Sequence, residues 1–453
     1  MDHRSEKNIF LPNRLGFHYF PDAQHYSEMQ IKLWMPILEA MKVGWLVVHS
    51  PLSRAIPEDF IRSMADGKIS IVIDFNHPLN ADVDWDGLET LIRAYGQWGV
   101  KYALLDRRAN MRVVWGSGRW GNPALVSDYA DQFTRFSEMT LENAIHPVFG
   151  PLVPGGDYWD LAFLQTALTR IAESAPDIVR NNLTLSAYAW DFGRPLDWGA
   201  GGPGAWPNAG PYKKPDEFNQ NQQGFRTHEW YDAAARTVFG KSLPIMLFEA
   251  GISLHPELAG VSYSEPDLGN QLAIFGLLKG ANVYDRQEVD RLLSPISLQV
   301  IACNYFVLSS ANKDDLLYQW FLENGQRLPP AQAIYVREGI LDALPSQPTV
   351  SSIRPESPEL SFRYGRYVLI AETLQPSAGQ ILASLHYYIE KHKPMVGFSA
   401  EDAAQAAIII AITPDGRLNT ATMEKLKQNG GLVKVIRPDK IPDLTTENVN
   451  EKA

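Results

Sequence analysis

Glu249 closes the run Leu243-Pro244-Ile245-Met246-Leu247-Phe248 and is followed at once by Ala250 and Gly251. A carboxylate so placed can act as a nucleophile, exchange a proton with a reacting group, or stabilise developing positive charge. Other polar and aromatic side chains also stand at the ends of short apolar runs: His18, His49, Asp74, Asn76, Asp106, Trp190, Asp191 and Tyr305. His18, His49 and Asp74 have the chemistry to hold a divalent ion. No His-x-x-x-His or comparable spacing accompanies them, so hydrogen bonding is the simpler reading, and neither a metal nor a cofactor is expected.

The elements that would position these groups follow from the pattern of apolar residues. A continuous apolar run of four to eight residues belongs to a strand covered on both faces, as in parallel sheets. Eight such runs occur, at 14–20, 44–49, 69–76, 100–106, 145–150, 183–190, 243–249 and 300–308. Helical spacing follows, as in Ile31, Leu33, Trp34, Ile37, Leu38 and Met41. The alternation predicts an α/β fold, a (β/α)8 TIM barrel over 1–340, in which side chains at the C-terminal ends of different strands converge on one mouth. Cys303, the single cysteine, falls inside the eighth run and is expected in the core.

The loop after the sixth run extends from Asp191 to about Gly224 and contains Gly201, Gly202, Pro203, Gly204, Trp206 and Pro207. Loops of that length tend to wall binding sites. Its tryptophans, Trp198 and Trp206 with Trp190 and Trp230 nearby, could stack on a sugar ring or anchor the loop.

Residues 341–361 are rich in Pro and Ser and read as a linker. From 362 to 442 strands and helices alternate again, at Arg366–Ala371, Pro394–Phe398, Ala407–Ile412 and Leu432–Ile436, which predicts a small three-layer α/β accessory domain. The stretch from Ala371 to Gly379 could cradle a phosphate at a helix N-terminus, but it carries no Walker lysine or Gly-x-Gly-x-x-Gly run. Residues 443–453 read as a polar tail. With 52 acidic against 41 basic residues and a net charge of −11, nucleic acid and anionic membranes are poor partners. No apolar run is long enough to span a bilayer, and the N-terminal residues have no signal-peptide core, so the expected location is the cytoplasm. A secreted form with its leader removed fits the same residues.

The order of these pieces resembles the glycoside hydrolases of the clan A type, over about residues 14–340. The residues that carry the likeness are Leu243–Gly251, the stretch Gly155-Gly156-Asp157-Tyr158-Trp159-Asp160 after strand five, and Trp115 with Trp120-Gly121-Asn122-Pro123 after strand four. The resemblance implies that Glu249 matches the strand-seven nucleophile. It also implies Asn-Glu-Pro-Asn at the end of strand four, where this chain has Arg107-Arg108-Ala109-Asn110, and only Asn110 fits. Arginine cannot donate a proton near neutral pH, because its pKa lies above about 12. Arg108 is instead expected to pair with Glu249 and occupy its lone pairs.

The remaining acids are Asp106, expected on the same inward face as Arg108 and deeper in the barrel, with Asp191 and Asp74. A carbohydrate in the mouth would meet His18, His49, Asp74, Asn76, Arg108, Asn110, Trp115, Trp190, Trp206 and Tyr305. The main expectation is a barrel that binds a glycan and has lost hydrolysis. One alternative is an active glycosidase that uses Glu249 with Asp106 or Asp191 as an unconventional acid. The other is a structural module joined to protein partners through the C-terminal domain.

Overall fold

A computed structural model describes residues 13–209, 221–253, 268–285, 291–312, 315, 318–340, 364–392, 394–427 and 432–445. The chain divides into two compact units, Met1–Pro348 and Thr349–Ala453. In the first, eight parallel strands run in the order β5-β4-β3-β2-β1-β8-β7-β6. They are β1 Leu15–His18, β2 Trp45–His49, β3 Ser70–Asp74, β4 Tyr102–Leu104, β5 His146–Pro147, β6 Leu185–Tyr188, β7 Ile245–Ala250 and β8 Val300–Tyr305. A parallel bridge between Val148 and Thr184 joins the two ends of that order, so the sheet meets itself as a barrel. All eight strands fall inside the runs read from the sequence or within one residue of them.

Alternation along each strand divides the core in two. Leu15, Phe17, Leu46, Val48, Ile71, Ile73, Leu185 and Leu247 face outward onto the helices, among Trp34, Leu38, Phe60, Leu164 and Ile334. Val47, Val72, Leu104, Tyr188, Met246, Phe248 and Ala302 fill the lumen. The barrel is therefore packed inside, and a ligand can be met only at its ends.

Gly16 shows how tightly the lumen is filled. A Cβ there would sit on Asn304 Oδ1 and 2.8 Å from Trp45 Cβ, and Asn304 is itself tied by Nδ2 to the Leu247 carbonyl at 3.0 Å. Gly16→Ala is expected to destabilise the barrel by about 1–3 kcal/mol, read as a lower urea midpoint. An unchanged midpoint would mean that this layer has slack.

The second unit holds a four-stranded parallel sheet in the order β10-β9-β11-β12, from β9 Tyr364–Ile370, β10 Met395–Gly397, β11 Ala406–Ile412 and β12 Leu432–Ile436. Helices Ala378–Ser384 and His386–His392 cover one face, where Val368, Ile370, Ile410 and Ile412 meet Ile381, Leu385 and Tyr388. Helices Ala400–Ala403 and Thr420–Lys427 cover the other, with Leu369, Ile409 and Leu426 buried. This is the three-layer domain expected from the sequence. Two details differ at its ends. The Ala371–Gly379 stretch opens as a 3-10 helix, Glu372–Ser377, and a second 3-10 helix, Pro438–Thr445, runs past residue 442, where the tail was expected to begin. The 341–361 linker lies outside the described residues, as do 446–453. Among the described residues no helix is long and apolar enough to cross a membrane.

Candidate functional site

The mouth at the C-terminal ends of the strands gathers His18 from β1, Asp74 from β3, Arg107 and Arg108 after β4, Tyr188 and Trp190 from β6 and its exit, and Phe248 and Glu249 from β7. Arg108 and Glu249 both have left-handed backbones, with φ of 61° and 54°, as does Asn76 beside Asp74 at 44°. A non-glycine residue in that region costs about 1–2 kcal/mol, and such strain gathers at functional sites. It has a geometric effect here. In a regular strand, neighbours point to opposite faces, but the turn at Arg108 lets two consecutive arginines reach the same carboxylate. At Glu249 the pairing of β7 with β8 slips between Leu247 and Ala250, which brings the carboxylate in beside Phe248.

Arg107 lies between two acids. Its Nη2 pairs with Asp74 Oδ2 and its Nη1 lies 3.2 Å from Glu249 Oε1. Arg108 Nη2 stands 3.5 Å from Glu249 Oε2, and its Nε donates to the Tyr188 hydroxyl at 3.0 Å. Trp190 Nε1 donates to Glu249 Oε2 at 3.1 Å, while its ring stacks on Tyr188 with centroids 4.1 Å apart. Both guanidiniums also lie over aromatic faces, Arg107 5.6 Å from the Phe248 centroid and Arg108 5.5 Å from that of Tyr188. The Glu249 backbone N–H donates to His18 Nε2 at 3.1 Å. Each oxygen of Glu249 is thus engaged, and two carboxylates face two arginines.

Burial and charge agree with this arrangement. Burial alone would lower the Arg107 pKa, yet Asp74, the Tyr188 hydroxyl and Glu249 together raise it above the ordinary value. His18 is driven well below the usual imidazole range, first by burial and then by Arg107, so it is neutral and accepts the Glu249 N–H. Burial also pushes the Tyr188 phenol up to about 12. Glu249, Asp74, His18 and Trp190 are all 5% exposed or less, whereas the Arg108 side chain is 32% exposed. A ligand arriving from solvent would therefore meet Arg108 first.

No family model matches this sequence, and no curated protein does. Solved structures do match. A family 39 glycoside hydrolase from Bacteroides cellulosilyticus WH2 shares 12% identity over 73% of this chain at a TM-score of 0.43, and this chain spans 64% of that enzyme's length. A GH5 cellulase from an Icelandic hot spring isolate shares 12% over 76% of this chain and 91% of its own, also at 0.43. A GH128 endo-β-1,3-glucanase from Amycolatopsis mediterranei, solved with laminarihexaose, shares 10% over 72% of this chain and 99% of its own at 0.38. The chain is similar to glycoside hydrolase barrels.

Several residues expected at the mouth have other partners. Asp106 turns to the helix layer, where it accepts from the Tyr129 hydroxyl at 3.1 Å. The inward alternation expected of it fails because β4 ends at Leu104. Asp191 accepts from Gly193 N and from Asn270 Nδ2, each at 2.8 Å, and so pins its own loop. Asn110 spends both amide protons on the Val153 and Tyr158 carbonyls and its oxygen on Val153 N, which leaves no donor for a sugar. Trp115 is buried, with Nε1 on the Ala109 carbonyl, and Tyr305 is buried with its hydroxyl on the Gln271 carbonyl. Trp206 anchors the long loop through the Ala200 carbonyl and the Trp198 ring.

His49 is paired in register with Asp74 and its carbonyl accepts from the Tyr26 hydroxyl, while Asn76 is exposed at the rim. Of the expected set, the structure brings together His18, Asp74, Arg108, Trp190 and Glu249. It adds Arg107 as the bridging cation and Tyr188 as its neighbour, two roles not assigned from the sequence. The signal available for Arg107 was its place beside Arg108, just past the end of the fourth apolar run. For Tyr188 it was its place two residues before Trp190, on the same strand face. Among the described residues no group of His, Cys, Asp and Glu side chains forms a metal cluster.

Proposed function

We propose that this barrel binds carbohydrate at its C-terminal face without hydrolysing it. The observation that carries this reading is the engagement of Glu249, with Oε1 on Arg107 and Oε2 on Arg108 and Trp190. Retaining hydrolysis needs a nucleophilic carboxylate and a second carboxyl about 5–5.5 Å away that can deliver a proton. Here the lone pairs of the first are occupied, and the acid that shares its cluster, Asp74, is paired with the same Arg107. Asp106 and Asp191 are engaged elsewhere, by Tyr129 and by Gly193 and Asn270, which disfavours an unconventional acid. Recognition would rest on polar groups and not on stacking, because Tyr188 and Trp190 cover one another and are 2% exposed or less. Wild type and Glu249→Gln are expected to give the same background on a panel of α- and β-linked oligosaccharides. Turnover by wild type that disappears in Glu249→Gln would overturn the reading.

A further inference from the structure

The loop after β6 and the chain beyond β7 both leave from the C-terminal ends of their strands. Between them lies a cavity of about 310 Å³, walled by Arg194, Leu196, Ser253, Asn270, Tyr284 and Asp285 among others. Arg194 is held in place from behind. Its Nη1 donates to Asn221 Oδ1 at 2.5 Å and to the Gln223 carbonyl at 2.8 Å, and its guanidinium lies 4.3 Å over the Trp198 ring. All three partners are neutral. Other arginines of this unit are neutralised by acids, Arg107 and Arg108 by Glu249, Arg226 by Glu229 and Arg291 by Asp197. No carboxylate among the described residues pairs with Arg194.

A cation that has lost part of its hydration and gained no counter-charge is costly to keep. A planar guanidinium fixed at one edge is also preorganised to take a carboxylate with the edge left over. Burial lowers the Arg194 pKa to about 10, so it is still charged at neutral pH. Asp285 lines the same cavity without pairing to Arg194. It would repel a polyanion, so the cavity suits a ligand with one anionic group on a neutral, polar body. Its volume is at the lower end of ligand pockets, roughly room for one sugar ring.

We propose that this cavity is a subsite for an acidic sugar, with Arg194 receiving the carboxylate of a hexuronate unit. The proposal rests on the carbohydrate-binding reading and adds the class of sugar. The test is calorimetric or NMR titration of the full chain with D-glucuronate, D-glucose and acetate at low ionic strength. D-glucuronate is expected to bind at least about tenfold more tightly than D-glucose, the size of one charge-assisted contact, and added salt should weaken only the acid. Arg194→Gln should abolish the preference and Arg194→Lys should retain part of it, which separates loss of charge from a disturbed loop.

Equal binding of the two sugars to wild type, or a preference that survives in Arg194→Gln, would overturn the acidic subsite and leave carbohydrate binding standing. Acetate binding as tightly as D-glucuronate would overturn the carbohydrate reading, because the sugar body would then contribute nothing. No binding of either sugar would overturn both.

Discussion

Arg107→Met is expected to cost the barrel about 3–5 kcal/mol, the usual penalty for removing one partner from a buried charge cluster. Arg107 is the counter-charge shared by Asp74 and Glu249, each of which has only 4% of its surface exposed. Without it, Asp74 keeps the Asn76 backbone N–H as a donor, and Glu249 keeps Trp190 and a 3.5 Å contact to Arg108. The loss should be read by urea unfolding followed through tryptophan fluorescence, since all twelve tryptophans lie in the barrel unit. Arg108→Met should cost well under half as much, because that side chain is one-third exposed and its ion pair is longer. Adding Asp74→Asn and Glu249→Gln to Arg107→Met should recover part of the stability, because no charge then remains unpaired. A cost below about 1 kcal/mol for Arg107→Met would show that the cluster is not held as a buried network, and the argument against hydrolysis would lose its basis.

Asp106→Asn is expected to stabilise the protein at pH 8 and to do little at pH 4. Burial raises the Asp106 pKa from 3.8 to about 7, against the smaller opposing effect of the Tyr129 hydroxyl. The folded state therefore holds this proton more tightly than the unfolded chain. The sign follows: stability linked to Asp106 is greatest below about pH 4, falls as pH rises towards 7, and is flat above it. The span corresponds to about 4 kcal/mol at most. An asparagine cannot ionise and can still accept from Tyr129, so the variant should lack that part of the pH dependence. Asp160, held by Gly155 N, Gln222 Nε2 and the Tyr231 hydroxyl, is raised to about 6 by burial and should leave a residual slope of the same sign below pH 6. Equal slopes in wild type and Asp106→Asn between pH 4 and 8 would mean that Asp106 is hydrated in solution.

How much of the site was legible depended on whether a strand was still regular where the residue stood. Glu249, His18 and Asp74 lie on ladder strands whose apolar runs mark them plainly, and each stands at a strand's C-terminal end. Arg107, Arg108 and Asp106 lie just beyond β4, a strand of only three residues. Extending its alternation put Asp106 inside and passed over Arg107. The left-handed turn at Arg108 brings both arginines inward, while the Tyr129 hydroxyl draws Asp106 outward. Asn110, Trp115 and Tyr305 are of types that bind sugars, yet hydrogen bonds to backbone carbonyls hold all three in the packing. Residue type cannot distinguish a satisfied donor from an available one.

The sequence by itself determined the parallel strand and helix alternation, the eight-stranded barrel, the second α/β unit, and the two consecutive arginines just beyond the fourth strand. Those features are local, because apolar runs and helical spacing are set by which faces of an element must leave water. Only the tertiary structure decided which arginine bridges Asp74 to Glu249, which aromatics are shielded, and that Arg194 lines a cavity while pairing with no carboxylate among the described residues. Those outcomes depend on the directions of side chains from strands far apart in the chain. A few residues outside regular strand geometry set those directions, and neither composition nor spacing records them.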